Sequence, residues 1–437
     1  MTEVHKALDD VLQSMISLSE DIYKNPELGY KEFKTRQKVI DVLQKAGIEY
    51  EDVAYTGIVA ELNSNKKGPT VGLICELDAV PTLGHPYANP VDNAAHTCGH
   101  YAQIGVMLSV FLALHKANTL SKLCGKVKLL VTPAEEFCDM EYRKQLIQDG
   151  KISHSSGKRE MIANGVFDDV DIMLSCHTMG LDMETYHAEI GASLNGFLQK
   201  TAIFHGKATH AGANPEEGIN ALNAANLAMA GINFLRETFL AEDAVRVHFV
   251  LSEGGQTVNT VPARTQLDMY VRARTVEAIR KTDEKVNRAL RAGALAIGCG
   301  LEIYDTPGYF PLHQDEELTE FVKQQIKTYI EDEKIAIGTH GFASGDMGDI
   351  SMMWPTVEIG IAGFRGTIHG NDFETADEEQ AYRIPAYYFA DTVIKLLENN
   401  GENAYIIKEK FHPVMTKEEY LNTLKEYEQV RRYDVSK

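Results

Sequence analysis

Four short runs, Val71–Leu77, Val127–Thr132, Ile172–Cys176 and Val357–Ile361, constrain the fold more than any other feature of the chain. Each is dominated by β-branched or other apolar residues, the pattern of a strand buried on both faces. Helical stretches lie between them, and residues 4–24 and 32–46 ahead of them read as amphipathic helices. This alternation predicts a mixed, mostly parallel sheet flanked by helices. Chemistry-bearing residues stand just past the strands: Asp78 after the first, Glu135 and Glu136 after the second, His177 after the third. His369 follows the fourth by a few residues, in a loop with Gly363, Gly366 and Gly370. Open α/β sheets bind ligands at the carboxyl ends of their strands, so these side chains are expected to share one crevice.

A second texture interrupts the first. Phe197–His205 alternates as a strand, and a helix follows with Ile219, Leu222, Ala225, Met229, Ile232 and Leu235 on one face. Two further strands, Val245–Leu251 and Gln266–Arg272, precede a helix carrying Val286, Leu290, Ala294 and Ile297, then a short strand near Leu301–Tyr304. The order β-α-β-β-α-β is that of the split ferredoxin-like unit. With 437 residues, 44% of them apolar, the chain exceeds what one core usually holds and can fill two. The expected division is residues 1–190 with 306–437 as one domain, and 191–305 as an inserted α+β domain. Asp149–Arg159 reads as a loop, and the charged tail after Asn399 as peripheral helices.

A net charge of -20 and a pI near 5.2, with no clustered basic face, argue against a nucleic-acid partner. The first residues lack the basic-then-apolar pattern of a signal peptide, and no apolar run is long enough to cross a bilayer. Cytoplasmic location, with no membrane partner, is therefore expected. The six cysteines form no repeated CxxC pairs and are expected to be reduced thiols.

Cys98-Gly99-His100 combines a thiolate and an imidazole, which suit zinc or a similar ion, and the carboxylates downstream widen the choice toward manganese. Alone, the tripeptide is better explained by a cysteine packed at a helix entry and a histidine at the surface or capping the helix. The couplet Glu135-Glu136, placed between a buried strand and a helix, would repel itself without a nearby cation. Its bland explanation is an acidic helix N-terminus. If a cation is present, one glutamate can bind it while its neighbour serves as general base. Asp78, in Glu76-Leu77-Asp78-Ala79-Val80-Pro81, can orient a ligating histidine from behind. His210, in Gly206-Lys207-Ala208-Thr209-His210-Ala211-Gly212, is either a turn residue or an oxyanion donor delivered from the inserted domain. Arg264 and Arg272 could receive a substrate carboxylate, though a solvated strand face explains either one.

Taken in order, Asp78-Ala79-Val80-Pro81, Cys98-Gly99-His100, Pro133-Ala134-Glu135-Glu136, Gly206–Ala211 and Ile368-His369 resemble the aminoacylase and carboxypeptidase-type di-metal peptidase superfamily across nearly the whole chain. The likeness is strongest to its amidohydrolase branch of hippurate, indole-acetyl-amino-acid and aminobenzoyl-glutamate hydrolases. Gly157–Met161 onward and Ser344–Asp349 look most like the aminobenzoyl-glutamate group. The resemblance implies two divalent ions, zinc or manganese, with Cys98 bridging them and His100, Glu136, His177 and His369 completing their ligands. It implies Glu135 as the general base and Asn259, in Val258-Asn259-Thr260-Val261-Pro262, as a substrate-binding residue. It also implies a homodimer formed through the inserted lid domain, in which His210 reaches the partner's active site. Relatives commonly carry Asp or Asn after Cys-Gly-His and often a histidine two positions further on. This chain has Tyr101 and Gln103 there, so its pocket or the residues behind the ligands are expected to differ.

The expected activity is metal-dependent hydrolysis of the amide bond in N-acyl amino acids, aminobenzoyl-glutamate-like conjugates or dipeptides. Two rivals belong to other classes. One is a metal-free, noncatalytic small-molecule-binding homologue. The other is thiol catalysis by Cys98 with His100, two residues whose closeness in sequence works against their alignment.

Overall fold

The computed structural model describes residues 2–434, which fall into two units. The first contains the residues up to Ser193, His313–Thr339 and Asp349–Val414; the second contains Leu194–Leu312, His340–Gly348 and the residues from Met415 onward.

The sheet of the first unit has eight strands, in the order Tyr50–Val53, Gly57–Asn63, Lys126–Thr132, Thr70–Glu76, Ile172–Thr178, Thr356–Ile361, Ala188–Ile190 and Ile335–Ile337. The four strands anticipated from the apolar runs are adjacent and parallel. Antiparallel pairs lie to either side of them. All seven residues of Thr70–Glu76 are buried, as a parallel strand covered on both faces requires. This is the mixed, mostly parallel sheet flanked by helices.

Helix Glu3–Lys24 begins at a Thr2 cap, whose Oγ1 accepts from the His5 N–H at 3.2 Å. Its apolar face, with Val4, Leu8, Leu12, Met15 and Ile16, packs on helix His100–Lys116. That second helix is buried without a break from His100 to Leu114, so it has no polar face to turn to water. Removing a fully buried ring such as that of Phe111 costs about 3–5 kcal/mol. A helix held this firmly gives His100, its first residue, a rigid base.

The second unit is an antiparallel sheet in the order Arg246–Glu253, Arg264–Ala273, Gly196–His205, Gly300–Pro307, Val430–Tyr433. Helices Ala221–Phe234 and Val276–Ile297 pack on each other and on its strands. Burial alternates residue by residue along Arg264–Ala273, the mark of a sheet with one face covered.

Three stretches depart from the sequence reading. Gly157–Ala163 is a helix, although residues 149–159 read as a loop, because Lys158, Arg159 and Glu160 are buried charges that hydropathy mistakes for solvent-facing ones. The tail forms helices Glu402–Lys410 and Lys417–Tyr427 but ends in a strand, Val430–Tyr433, that pairs with Gly300–Pro307. That pairing carries the tail into the second unit, together with residues 306–312 and 340–348, whereas the sequence groups all of 306–437 with the first.

Candidate metal centre

Cys98 Sγ lies 3.3 Å from His177 Nε2 and 3.3 Å from His369 Nε2. One sulfur thus stands beside two imidazoles brought from separate parts of the first unit. His177 sits within strand Ile172–Thr178 near its end, while His369 lies in a loop at φ 63°, its N–H donating to the Thr97 carbonyl at 2.8 Å. The ring orientations are set by carbonyls. His177 Nδ1 meets the Thr178 carbonyl at 2.9 Å, and His100 Nδ1 meets the Asp78 carbonyl at 2.8 Å. A carbonyl only accepts, so Nδ1 carries the hydrogen in both rings. The Nε2 lone pair of His177 is left for a cation, whereas His100 Nε2, which the Glu76 carboxylate favours as protonated against the effect of burial, would offer its lone pair once a cation displaces that proton.

The candidate ligand atoms fall into three overlapping sets, two of which include carboxylates. Glu136 Oε1 lies 3.1 Å from His369 Nε2, and Glu135 Oε2 lies 3.8 Å from His100 Nε2. The ligand atoms of Cys98, His100 and His177 fall within 4.8 Å of one another, and so do those of Cys98, Glu136 and His369. A third set within the same limit joins His100, Glu135 and Glu136. Cys98 belongs to both of the first two. Asp78 is fully buried and touches both halves: its Oδ1 is 3.5 Å from His100 Nδ1, and its Oδ2 accepts the Glu136 N–H at 2.9 Å.

These donors fit divalent cations. His100 Nε2 and Glu136 Oε1 are buried and make no well-directed hydrogen bond among the described residues; their near neighbours, Glu76 Oε2 at 3.2 Å and His369 Nε2 at 3.1 Å, are themselves groups that a shared cation would draw together. Burial, followed by the Glu136 charge, pushes the Cys98 thiol well up, and a bound cation reverses that cost by favouring thiolate. Burial and the neighbouring His100 push His177 down, which keeps it in the neutral, ligating form.

Local backbone demands explain the motif residues. Gly99 sits at φ 93°, and a Cβ there would stand 2.0 Å from Thr178 Oγ1, so only glycine lets Cys98 and His100 approach the end of the His177 strand. The acidic couplet is not a helix N-terminus, since the next helix starts only at Met140. It follows a sharp turn at Ala134, which has φ 51°.

Residues 72–395 match the sequence profile of peptidase family M20/M25/M40. The chain belongs to this family. It is accordingly a hydrolase of peptide or amide bonds. The mouse Xaa-Arg dipeptidase is 27% identical over 368 residues, covering 80% of this chain and 77% of that protein. A chain of the Escherichia coli p-aminobenzoyl-glutamate hydrolase is 25% identical over 309 residues, covering 68% of this chain and 59% of that protein. Among solved structures, a dinuclear metal-binding M20 peptidase from Bacillus subtilis superposes with a TM-score of 0.67 at 19% identity, covering 89% of this chain and 99% of its own.

Both departures near Cys-Gly-His in this M20 chain have structural roles. Tyr101 is buried and bonds through its hydroxyl to Thr375 Oγ1 at 2.8 Å. Gln103 bridges two strands. The ladder between Thr70–Glu76 and Ile172–Thr178 runs only from Val71–Leu73 to Ile172–Leu174. Beyond it, Gln103 Oε1 accepts the Glu76 N–H at 2.7 Å and Nε2 donates to the Cys176 carbonyl at 2.6 Å. Gln103 therefore spans the gap between the strands beside His177.

The sequence reading missed Glu76 and Lys158. Glu76 is fully buried, its Oε2 lies 3.2 Å from His100 Nε2, and its Oε1 is paired with the buried Lys158. The available signal was Glu76 lying two residues before Asp78 on an extended segment, which places both on one side. Nothing local pointed to Lys158.

Within the second unit, His210 and Asn259 do come together. His210 Nδ1 accepts from the N–H groups of Gly212 at 3.2 Å and Ala213 at 2.9 Å, so the proton of the neutral ring resides on Nε2. Nε2 lies 3.1 Å from Asn259 Nδ2, so a proton on Nε2 requires the Asn259 amide to turn its oxygen toward the ring, and both residues are exposed. Arg272 stacks on Phe197 and Tyr270, at 5.3 and 5.2 Å from the ring centres.

Proposed function

We propose that the centre holds two divalent ions bridged by the Cys98 thiolate and cleaves the amide bond of N-acyl amino acids, aminobenzoyl-glutamate-like conjugates or dipeptides. The observation that carries this reading is the Cys98 sulfur at 3.3 Å from both His177 Nε2 and His369 Nε2. Cys98, His100 and His177 would hold one ion, and Cys98, Glu136 and His369 the other. Bound there, the ions acidify an attacking water and polarise the scissile carbonyl.

The chain's own residues do the remaining work. Glu135 takes the proton of the attacking water and returns it to the leaving amine. Asp78 keeps His100 and the Glu136 backbone in register. His210, with its proton on Nε2, donates to the tetrahedral oxyanion in the active site of a second copy, and Asn259 beside it binds substrate. Zinc suits the thiolate, and manganese suits the imidazole and carboxylate donors.

The substrate classes draw support from the names of the relatives, a dipeptidase and an aminobenzoyl-glutamate hydrolase. A homodimer through the second unit draws support from strand Arg246–Glu253, which lies at the edge of its sheet with Val250 66% and Leu251 42% exposed. Location in the cytoplasm draws support from six unpaired cysteine thiols. No helix among the described residues is long and apolar enough to cross a membrane.

The deciding experiment is elemental analysis of gently purified protein, joined to a chelator-controlled hydrolysis screen over aminobenzoyl-glutamate, hippurate-like amides and dipeptides. About two ions per chain and chelator-sensitive cleavage are expected from the two ligand sets. Metal-free protein, inactive across that panel, would instead support the noncatalytic small-molecule-binding homologue.

A further inference from the structure

The Ala134-Glu135-Glu136 turn lies outside the sheet and the helices, and a helix backbone group reaches it in the Gly157 N–H, which donates to the Ala134 carbonyl at 3.4 Å. Ala134 adopts φ 51°, a left-handed conformation that costs a non-glycine residue about 1–2 kcal/mol. Side chains from Glu32, from Asp78, whose Oδ2 accepts the Glu136 N–H at 2.9 Å, and from the nearby Arg143 satisfy its backbone groups. Glu32 Oε1 accepts the Ala134 N–H at 2.8 Å, while Glu32 Oε2 accepts the Thr56 hydroxyl at 2.7 Å. Arg143 donates through Nη1 to the Ser155 carbonyl at 2.7 Å and to the Ala134 carbonyl at 3.4 Å, and through Nη2 to the Glu136 carbonyl.

Glu32 and Arg143 are both fully buried. Burying charged side chains is expensive and is tolerated where they are hydrogen-bonded for a purpose. The packing around them leaves no slack: a Cβ on Gly29 would stand 2.4 Å from Arg143 Nη2 and 2.8 Å from Ala134 Cα. Neither residue belongs to the sets of ligand atoms at the centre. What both reach is the backbone on either side of Glu135.

We infer that Glu32 and Arg143 are positioning residues that clamp the Ala134-Glu135-Glu136 backbone, so that the Glu135 carboxylate is aimed for proton transfer while Glu136 stays on its ion. This rests on the assignment of Glu135 as the general base. Misplacing a reacting group by about 1 Å costs on the order of a hundredfold in rate, so the clamp acts on turnover more than on substrate binding.

The test uses the metal-loaded full chain and four variants: Glu32→Ala, Arg143→Lys, Glu32→Gln and Glu135→Gln, with Glu32→Ala also placed in the Glu135→Gln background. Ions per chain, melting temperature, kcat and KM are measured for each. Glu32→Ala and Arg143→Lys are expected to keep their metal and a KM within about threefold, with kcat down by about ten- to a hundredfold. Glu32→Gln retains an acceptor for the Ala134 N–H and is expected to stay within about threefold of the parent. If the clamp works through Glu135, Glu32→Ala costs little more once Glu135 is already Gln. The same fractional loss in both backgrounds, or a Glu32→Gln as impaired as Glu32→Ala, overturns the clamp. A fully active Glu135→Gln overturns the base assignment instead, so the two failures are distinguishable.

Discussion

Gly99 is pressed against Thr178: a Cβ on the glycine would stand 2.0 Å from the threonine Oγ1. Because Gly99 also sits at φ 93°, Gly99→Ala is strained twice, by its backbone and by the collision. The expected result is destabilisation of about 2 kcal/mol or more, with metal loss, since Cys98 and His100 flank the displaced residue. Melting temperature and elemental analysis together check it; an alanine variant with full metal content and unchanged melting would show that the contact relaxes freely.

Cys98 has contacts with both His177 and His369, so removing its sulfur is expected to release both ions rather than one. Cys98→Ala should therefore bind less than one ion per chain. Cys98→Asp, which can still offer a bridging oxygen, should retain more metal and shift preference toward harder ions such as manganese. Competition between zinc and manganese, read by elemental analysis, distinguishes the two. One tightly held ion in Cys98→Ala would count against a shared ligand.

Glu32 links the turn to pH. Burial first, then the charge of Asp78, raise its carboxyl from 4.5 to about 7. The folded protein therefore holds this proton more tightly than the unfolded chain. Its contribution to stability is complete below about pH 4.5 and is lost as pH rises toward 7. Glu32→Gln cannot ionise, and its melting temperature is expected to fall less between pH 5 and 8 than that of the parent. Parallel curves would remove Glu32 as the cause.

Edge strand Arg246–Glu253 predicts the assembly. Val250→Lys adds a charge to an exposed apolar position on that edge and is expected to shift a dimer toward monomer in analytical ultracentrifugation. Activity should fall with it, because His210 would no longer reach a second copy, while metal content stays unchanged. A fully active monomer would sink the role proposed for His210.

The strands and the candidate ligands at their ends are legible because two regularities coincide there. Buried parallel strands are short apolar runs, and Asp78, Glu135, Glu136 and His177 each follow such a run closely with a side chain that has no business in a core. Cys98 and His369 are legible through their glycines, since Gly99 and Gly366 mark turns with positive φ. The supporting layer is not legible in the same way. Lys158 lies 82 residues from Glu76, and Glu32 lies 102 residues from Ala134. Such buried pairs follow no period, and hydropathy assigns their members to the surface. The helix at Gly157–Ala163 is missed for the same reason, because its three buried charges look like a solvated loop. The final strand, Val430–Tyr433, is only four residues long and carries two arginines, so its place is set by its partner Gly300–Pro307 rather than by its own composition.

That last strand has a consequence for growth. A sheet with two equally inviting edges could recruit copies on both sides and run on into a filament. Here one side ends in a short, doubly cationic strip, while the opposite side offers the full length of Arg246–Glu253. Under the proposed pairing through this sheet, addition would be favoured in one direction only, and two copies meeting at their like edges would use up the available sites. In that pairing the Val430–Tyr433 strand would act as a stop that makes assembly finite.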